Sequence, residues 1–397
     1  MYLKLPKDES NNRFQQLFEQ LNNYGQDWDS ALIIDRINLY YFTGTMPDGV
    51  LLIRRNGDIF LFVRRSYERS CEESPLNNIF AMNSYKDILA KLDGNLGKTY
   101  IETEKMPLAM LNRIQKYLPM EQVLALDKLL LKTRAVKSDY ELEFIKESGR
   151  QHNHVLTEVM PALFKEGMSE LEMLSKLYTA MLAEGHQGLA RFASFQTEMC
   201  VGQYGFGEST LAATNFDGPG GMTGTSALLP CIGSRERKLQ RGDLIFIDIA
   251  YGYMGYQTDK TQVYSFKGRL TEQALALHNQ CIAAQRIAAA QLKPGNIPSQ
   301  IYNNVCQQIS PELQDNFMGY GARRVAFIGH GVGLYIDEYP VIAKGFNEAL
   351  AENMVVAIEP KVGVSGVGTV GVEDTYLVTA DGGICLTGGG REVIEIK

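Results

Sequence analysis

Long apolar runs are missing from this 397-residue chain. A helix that crosses a bilayer needs about 20 consecutive apolar residues, and none of the stretches here approaches that length. The segment through Asp8 also lacks the apolar core of a secretory leader, so a cytoplasmic location is expected. Excess positive charge is missing as well. The formal net charge is −7, which argues against nucleic acid or an anionic membrane as partner. The short basic pairs Arg54-Arg55 and Arg64-Arg65 read as solvated strand ends. Six cysteines, at positions 71, 200, 231, 281, 306 and 385, form no Cys-x-x-Cys pair. That spacing excludes a thiolate metal site and suits reduced, structural thiols.

The chain is long enough for two domains with sizeable cores, and its 45% hydrophobic content is ordinary for a soluble globular protein. Residues 1–132 read as a small α/β domain. Ala31–Ile34 is a strand. Asn56-Gly57-Asp58, between the apolar runs Gly49–Arg54 and Ile59–Val63, is a hairpin signal. A helix is expected around Phe14–Phe18. The second domain is expected over 133–397. In it Ser138 precedes Glu141, and Ser169 precedes Glu172, by three residues. This is the capping-box pattern that opens a helix. Another long helix is expected from Thr271 to Gln291, stopped by Pro294-Gly295.

Two apolar strands each carry an acid at a place where burial of a charge is costly. These are Leu244–Ala250, with Asp248, and Met354–Glu359. A second acid follows each, Asp259 at a spacing of 11 (259 − 248) and Glu373 at a spacing of 14 (373 − 359). With His330, in Gly329-His330-Gly331-Val332-Gly333, there are five candidate ligands. Four carboxylates and one imidazole suit a hard divalent cation, and a pair of ions better than one. Each half of this domain runs from a helix start through an acid-bearing strand to a second acid beside a threonine. That is a faint internal duplication, which would let the acids converge. The glycines around His330 lack the Lys and Ser/Thr of a phosphate-binding loop.

At these residues the chain resembles the pita-bread metallopeptidases, the family of methionine aminopeptidase, aminopeptidase P, prolidase and creatinase. Asn38–Gly44 resembles the N-terminal domain of the aminopeptidase P, prolidase and creatinase branch, and Arg134–Ser138 its domain junction. Asp248, Asp259, His330, Glu359 and Glu373 match the ligand pattern in order, type and spacing. The resemblance implies an α/β protein: a small creatinase-like N-terminal α/β domain, then a pita-bread domain with a curved, mainly antiparallel sheet and pseudo-two-fold symmetry. It also implies a homodimer. Asp259 and Glu373 would bridge two metal ions, Asp248 would bind one of them, and His330 with Glu359 would complete the other. A bridging water would be the nucleophile and Glu359 would move the proton, with His330 and Glu359 as the catalytic pair. Mn2+ is expected first, although oxygen-rich ligation also admits Co2+, Fe2+ or Zn2+.

The chain departs from that family in two histidines that contact substrate. The position seven residues after His330 is Asp337, followed by Glu338-Tyr339-Pro340. The loop before the first acid-bearing strand, Asn215–Gly224, contains no histidine, and Gln262 stands where an Arg often follows the second Asp. The pocket is therefore expected to be more acidic and differently shaped, lined by Asp337, Tyr339, Phe216 and Met222. The expected activity is hydrolysis of a small Xaa-Pro peptide or related amide at a dinuclear metal centre. A creatinase-like C–N hydrolase or a lyase on the same scaffold is the second reading, and a non-catalytic binding module the third. His152, His154, His186 and His278 read as core or surface residues, with His186 the candidate for a replacement pocket residue. Tyr251, Tyr253 and Tyr256 read as packing residues. Cys200 and Cys231 have no nearby base that would make a nucleophile.

Overall fold

Asn56-Gly57 turns the chain between two antiparallel strands, Asp48–Arg54 and Ile59–Arg65, with Ile53 opposite Ile59. Gly57 sits at φ +96°, a backbone region glycine enters at no steric cost. These strands lie in a six-stranded sheet whose order is 79–81, 59–65, 48–54, 30–33, 97–101, 120–125. The pairs along 30–33, 48–54 and 59–65 are antiparallel and the remaining three are parallel. A helix over Lys7–Asn23 turns Phe14, Leu17 and Leu21 inward. The computed structural model describes residues 4–23, 27–92, 94–194 and 196–397. This sheet belongs to the first of two compact units, Met1–Arg134 and Ala135–Lys397; the sequence reading sets its division after residue 132. The first three residues of the segment read for a leader lie outside the described ones. Among the described residues no helix is long and apolar enough to cross a membrane.

In the second unit both capping boxes form. Ser138 caps the helix Asp139–His154 and Ser169 caps Glu170–Ala183, each through the backbone N–H three residues on, with the glutamate answering the cap residue's own N–H. Thr271 caps the helix Glu272–Ala289. The strand Leu244–Tyr253 turns back into Tyr256–Phe266 through Met254 (φ +50°) and Gly255 (φ +98°). Two positive φ values in a two-residue loop define the turn whose twist suits a hairpin. With that loop length Asp248 lies opposite Thr261 and Ala250 opposite Asp259. Residues 248 and 250 share a strand face, so the spacing of 11 puts both carboxylates on the same side of the sheet.

This hairpin belongs to a four-stranded sheet, in the order 394–396, 256–266, 244–253, 202–206. A second, antiparallel sheet runs 338–343, 327–331, 355–358, 374–379, 382–385. It carries His330 opposite Ala357 and Ile358 opposite Asp374. The two sheets are stitched where the acids lie. Thr261 N–H donates to the Glu373 carbonyl at 3.2 Å and Asp259 N–H donates to Thr375 Oγ1 at 2.8 Å. Leu177 and Met181 of one helix share a buried core with Ile247 and Ile249 of the first sheet. Leu277 and Cys281 of another share one with Val356, Ile358 and Val370. Each fully buried aliphatic side chain contributes about 1.5–3 kcal/mol, so the face of each strand opposite its acid is held by apolar burial.

Lys260 and Asp374 sit one residue beyond the acids Asp259 and Glu373 and point the opposite way. Lys260 Nζ donates to Asp374 Oδ1 at 2.7 Å, and both side chains are buried. Gln285 Nε2 at 3.2 Å and Thr387 Oγ1 at 2.8 Å complete the carboxylate. Removing one partner leaves an uncompensated buried charge, which costs about 3–5 kcal/mol. Asp374→Asn is therefore expected to lower unfolding free energy by that amount in urea denaturation. A loss under about 1 kcal/mol would contradict the pair's structural role.

Candidate metal centre

Asp248 and Asp259 from one hairpin, Glu359 and Glu373 at the ends of a second (361–364 with 368–371), and His330 from the strand 327–331 converge on one buried cage. One ligand atom each from Asp259, His330 and Glu373 lies within 4.8 Å of the others. His330 Nε2 stands 3.4 Å from Glu359 Oε1, 3.7 Å from Glu373 Oε1 and 3.9 Å from Asp259 Oδ2. Its Nδ1 lies 3.2 Å from the Gly331 carbonyl, which directs Nε2 toward the acids. Glu373 Oε1 is buried and has no hydrogen-bond partner. A buried carboxylate oxygen left unmatched beside an imidazole and a second carboxylate fits one divalent cation held by Asp259, His330 and Glu373, with Glu359 Oε1 in reach.

The other side of the cage is filled by a residue that the sequence reading passed over. Lys361 is fully buried, and its ammonium donates to Asp248 Oδ2 at 2.9 Å, Glu359 Oε2 at 2.9 Å and Glu373 Oε2 at 2.5 Å. Thr261 Oγ1 adds bonds to Asp248 Oδ1 at 2.8 Å and Glu373 Oε2 at 3.2 Å. The residues present do not fit the expected second ion. Asp248, its assigned ligand, is taken by Lys361 and Thr261. A signal for this was in the sequence. Along an extended chain residues i and i+2 face the same side, so Glu359-Pro360-Lys361 sends the lysine where it sends the glutamate.

The electrostatics follow from burial. Desolvation raises the Asp248 pKa to about 7, with Glu373 pushing the same way and Lys361 opposing. Desolvation, then Glu373 and Asp248, lift Asp259 well above the carboxylate range. Burial works against charge on Lys361 and on His330, but the surrounding carboxylates outweigh it and hold both pKa values well above normal. The cage is short of positive charge.

The expected pocket residues are placed differently from one another. Met222 is 1% exposed and packs in the core with Tyr204 and Phe246's neighbours Ile245 and Ile247; it offers substrate no surface. Asp337 is partly exposed, and its carboxylate accepts from Ala193 N–H at 2.6 Å and Ser194 Oγ at 2.8 Å, so it ties down a loop. Phe216 is partly exposed and stands edge-on to Phe192 at 5.5 Å between ring centroids. Tyr339 is partly exposed and donates to Glu348 Oε2 at 3.1 Å. Gln262 donates to the Val263 carbonyl. His186 is buried, with Nδ1 accepting from Gly252 N–H at 2.9 Å. That makes it a structural residue, not a substitute in the pocket.

The profile of metallopeptidase family M24 matches residues 143–380, and that of the creatinase/prolidase N-terminal domain matches residues 13–136. An Xaa-Pro dipeptidase from Pyrococcus horikoshii is 26% identical over 370 residues, 92% of this chain and 94% of that protein. An uncharacterized peptidase from Staphylococcus saprophyticus is 26% identical over 382 residues, 95% of this chain and 99% of that protein. Among solved structures, the prolidase from Pyrococcus horikoshii superposes with a TM-score of 0.78 at 23% identity, covering 97% of this chain and 100% of its own. The dipeptidase PepE from Mycobacterium ulcerans gives 0.79 at 22% identity, covering 99% and 100%. These two structures share the fold: a creatinase-like domain followed by a pita-bread domain with antiparallel sheets.

Burial lowers the His186 pKa to about 4. A histidine held neutral in the fold and free to protonate when unfolded stabilises above its ordinary pKa of about 6.5. That contribution is lost as pH falls toward 4. Urea midpoints are expected to drop across this window. His186→Asn, whose Oδ1 can accept from Gly252, should make the drop shallower; an unchanged slope would contradict this.

Proposed function

Since this chain belongs to metallopeptidase family M24 and is a peptidase hydrolase, we propose that it cleaves small peptides with proline after the scissile bond, at a metal held by Asp259, His330 and Glu373. The observation that carries the reading is the unpartnered Glu373 Oε1, buried beside His330 and Asp259. The names of the Pyrococcus relatives support the substrate class. A divalent ion there would supply a Lewis acid for the scissile carbonyl and lower the pKa of a bound water.

The chain's own residues supply the rest. Glu359 takes the proton of the attacking water at Oε1 and returns it to the departing amine. Its Oε2 is fixed by Lys361 at 2.9 Å, so one oxygen is anchored and the other faces His330 Nε2 at 3.4 Å. His330 and Asp259, each with a side chain 14% exposed, form the open rim of the cage, while Lys361 at 0% closes its floor. Substrate therefore approaches from the His330 side. Asp337 fixes the loop carrying Ala193 and Ser194. Mn2+ remains the ion we place first, in a cytoplasmic homodimer.

A creatinase-like C–N hydrolase is the second reading. It is favoured by Asp337, a spent carboxylate where the peptidases carry an imidazole. A panel of Xaa-Pro dipeptides and non-peptide amides under Mn2+ discriminates the two. We expect proline-peptide turnover that chelation abolishes and that Glu359→Gln lowers by about 10²–10⁴-fold in kcat. Turnover of amides alone, or turnover indifferent to chelator, would overturn the assignment.

A further inference from the structure

We propose that Lys361 is a resident cation that takes the place of one of the two divalent ions, so that each chain holds a single ion, on the Asp259, His330 and Glu373 side of the cage. This rests on the metal-dependent reading of the same site. The argument begins with valence. An ammonium has three N–H donors, and Lys361 Nζ has three carboxylate partners at 2.9, 2.9 and 2.5 Å, from Asp248, Glu359 and Glu373. No donor is left over. A divalent ion bound by Asp248 would need these same oxygens, and it would lie against a fixed positive charge.

The local chain is built around the lysine. Lys361 pairs with Gly371 across a short two-stranded sheet. A Cβ at Gly371 (φ +138°) would fall 2.4 Å from the Pro360 carbonyl oxygen, 2.6 Å from Lys361 Cα and 3.0 Å from its Cγ, so glycine lets the two strands approach this closely beside the lysine. Pro360 separates Glu359 from Lys361, and its carbonyl accepts from Val372 N–H at 3.1 Å, which pins the segment that aims both side chains inward. Thr261 then occupies the remaining oxygen of Asp248.

The bonding pattern completes the case. The unmatched buried oxygen, Glu373 Oε1, faces His330 Nε2 at 3.7 Å, while the other oxygen of the same carboxylate is bound by Lys361. One divalent ion there would satisfy Glu373 Oε1 and leave the three Lys361 bonds in place.

The test counts ions. The purified full-length chain is stripped with chelator, loaded with Mn2+, desalted and measured by plasma mass spectrometry. We expect about one Mn2+ per chain in the wild type and about two in Lys361→Gly, with a melting temperature that rises more steeply with Mn2+ in the variant. Asp248→Asn provides a second arm that does not need Lys361→Gly to fold. Asp248 touches the lysine and not the ion, so this variant keeps one Mn2+ with affinity within a few fold of wild type. Two ions in the wild type, Lys361→Gly remaining at one, or loss of the ion in Asp248→Asn would each overturn the proposal. No ion in the wild type would overturn both this inference and the metal-dependent reading. One ion with no turnover of proline peptides would leave this inference standing and remove only the functional reading.

Discussion

A buried cluster of negative charge that must be matched from within governs this fold. Asp248, Asp259, Glu359 and Glu373 are brought together by two hairpins whose outer faces are locked in apolar cores. Carboxylates in that setting are tolerated only when paired, hydrogen-bonded or bound to a metal. Lys361 answers three of them directly, and Thr261 answers two. What is left over, on the His330 and Asp259 side, is the place where chemistry can be done. Structure and reactivity thus divide one site between its floor and its rim.

The same alternation builds the support behind the cage. In Asp259-Lys260 and in Glu373-Asp374 the first residue faces the cage and the second faces away. The second residues meet each other as the buried Lys260–Asp374 pair. His278 holds the next layer, accepting from Gly371 N–H at 3.2 Å through Nδ1 and lying 2.8 Å from the Arg391 carbonyl at Nε2. Gly371 in turn lies across from Lys361. The strand that carries the internal cation is therefore positioned from the helix side by a neutral imidazole.

Much of this was legible in the residues themselves. Asp248 announced itself as an acid inside an apolar strand, and the 11-residue spacing to Asp259 corresponds to a two-residue hairpin loop. Ser138 and Ser169 marked helix starts because capping is a local interaction, confined to four residues. Lys361 was missed although its alternation with Glu359 was visible, because a lysine is ordinarily a solvated residue and nothing local says that it is buried. Met222 is expected in the pocket because its loop stands where the resembling family carries a substrate-contacting histidine, but the glycines around it let the loop fold close and bury the side chain instead. The pairing of Lys260 with Asp374 was beyond reach, since it spans 114 positions and depends on how two sheets meet.

The account stands or falls on where a cation settles in this cage. Crystals of the chain grown with Mn2+ and measured at the manganese absorption edge give that directly. The account predicts one anomalous peak per chain, between Asp259, His330 and Glu373, with Lys361 still bonded to Asp248. A cage without a peak, or a pair of peaks with the lysine displaced, would contradict it.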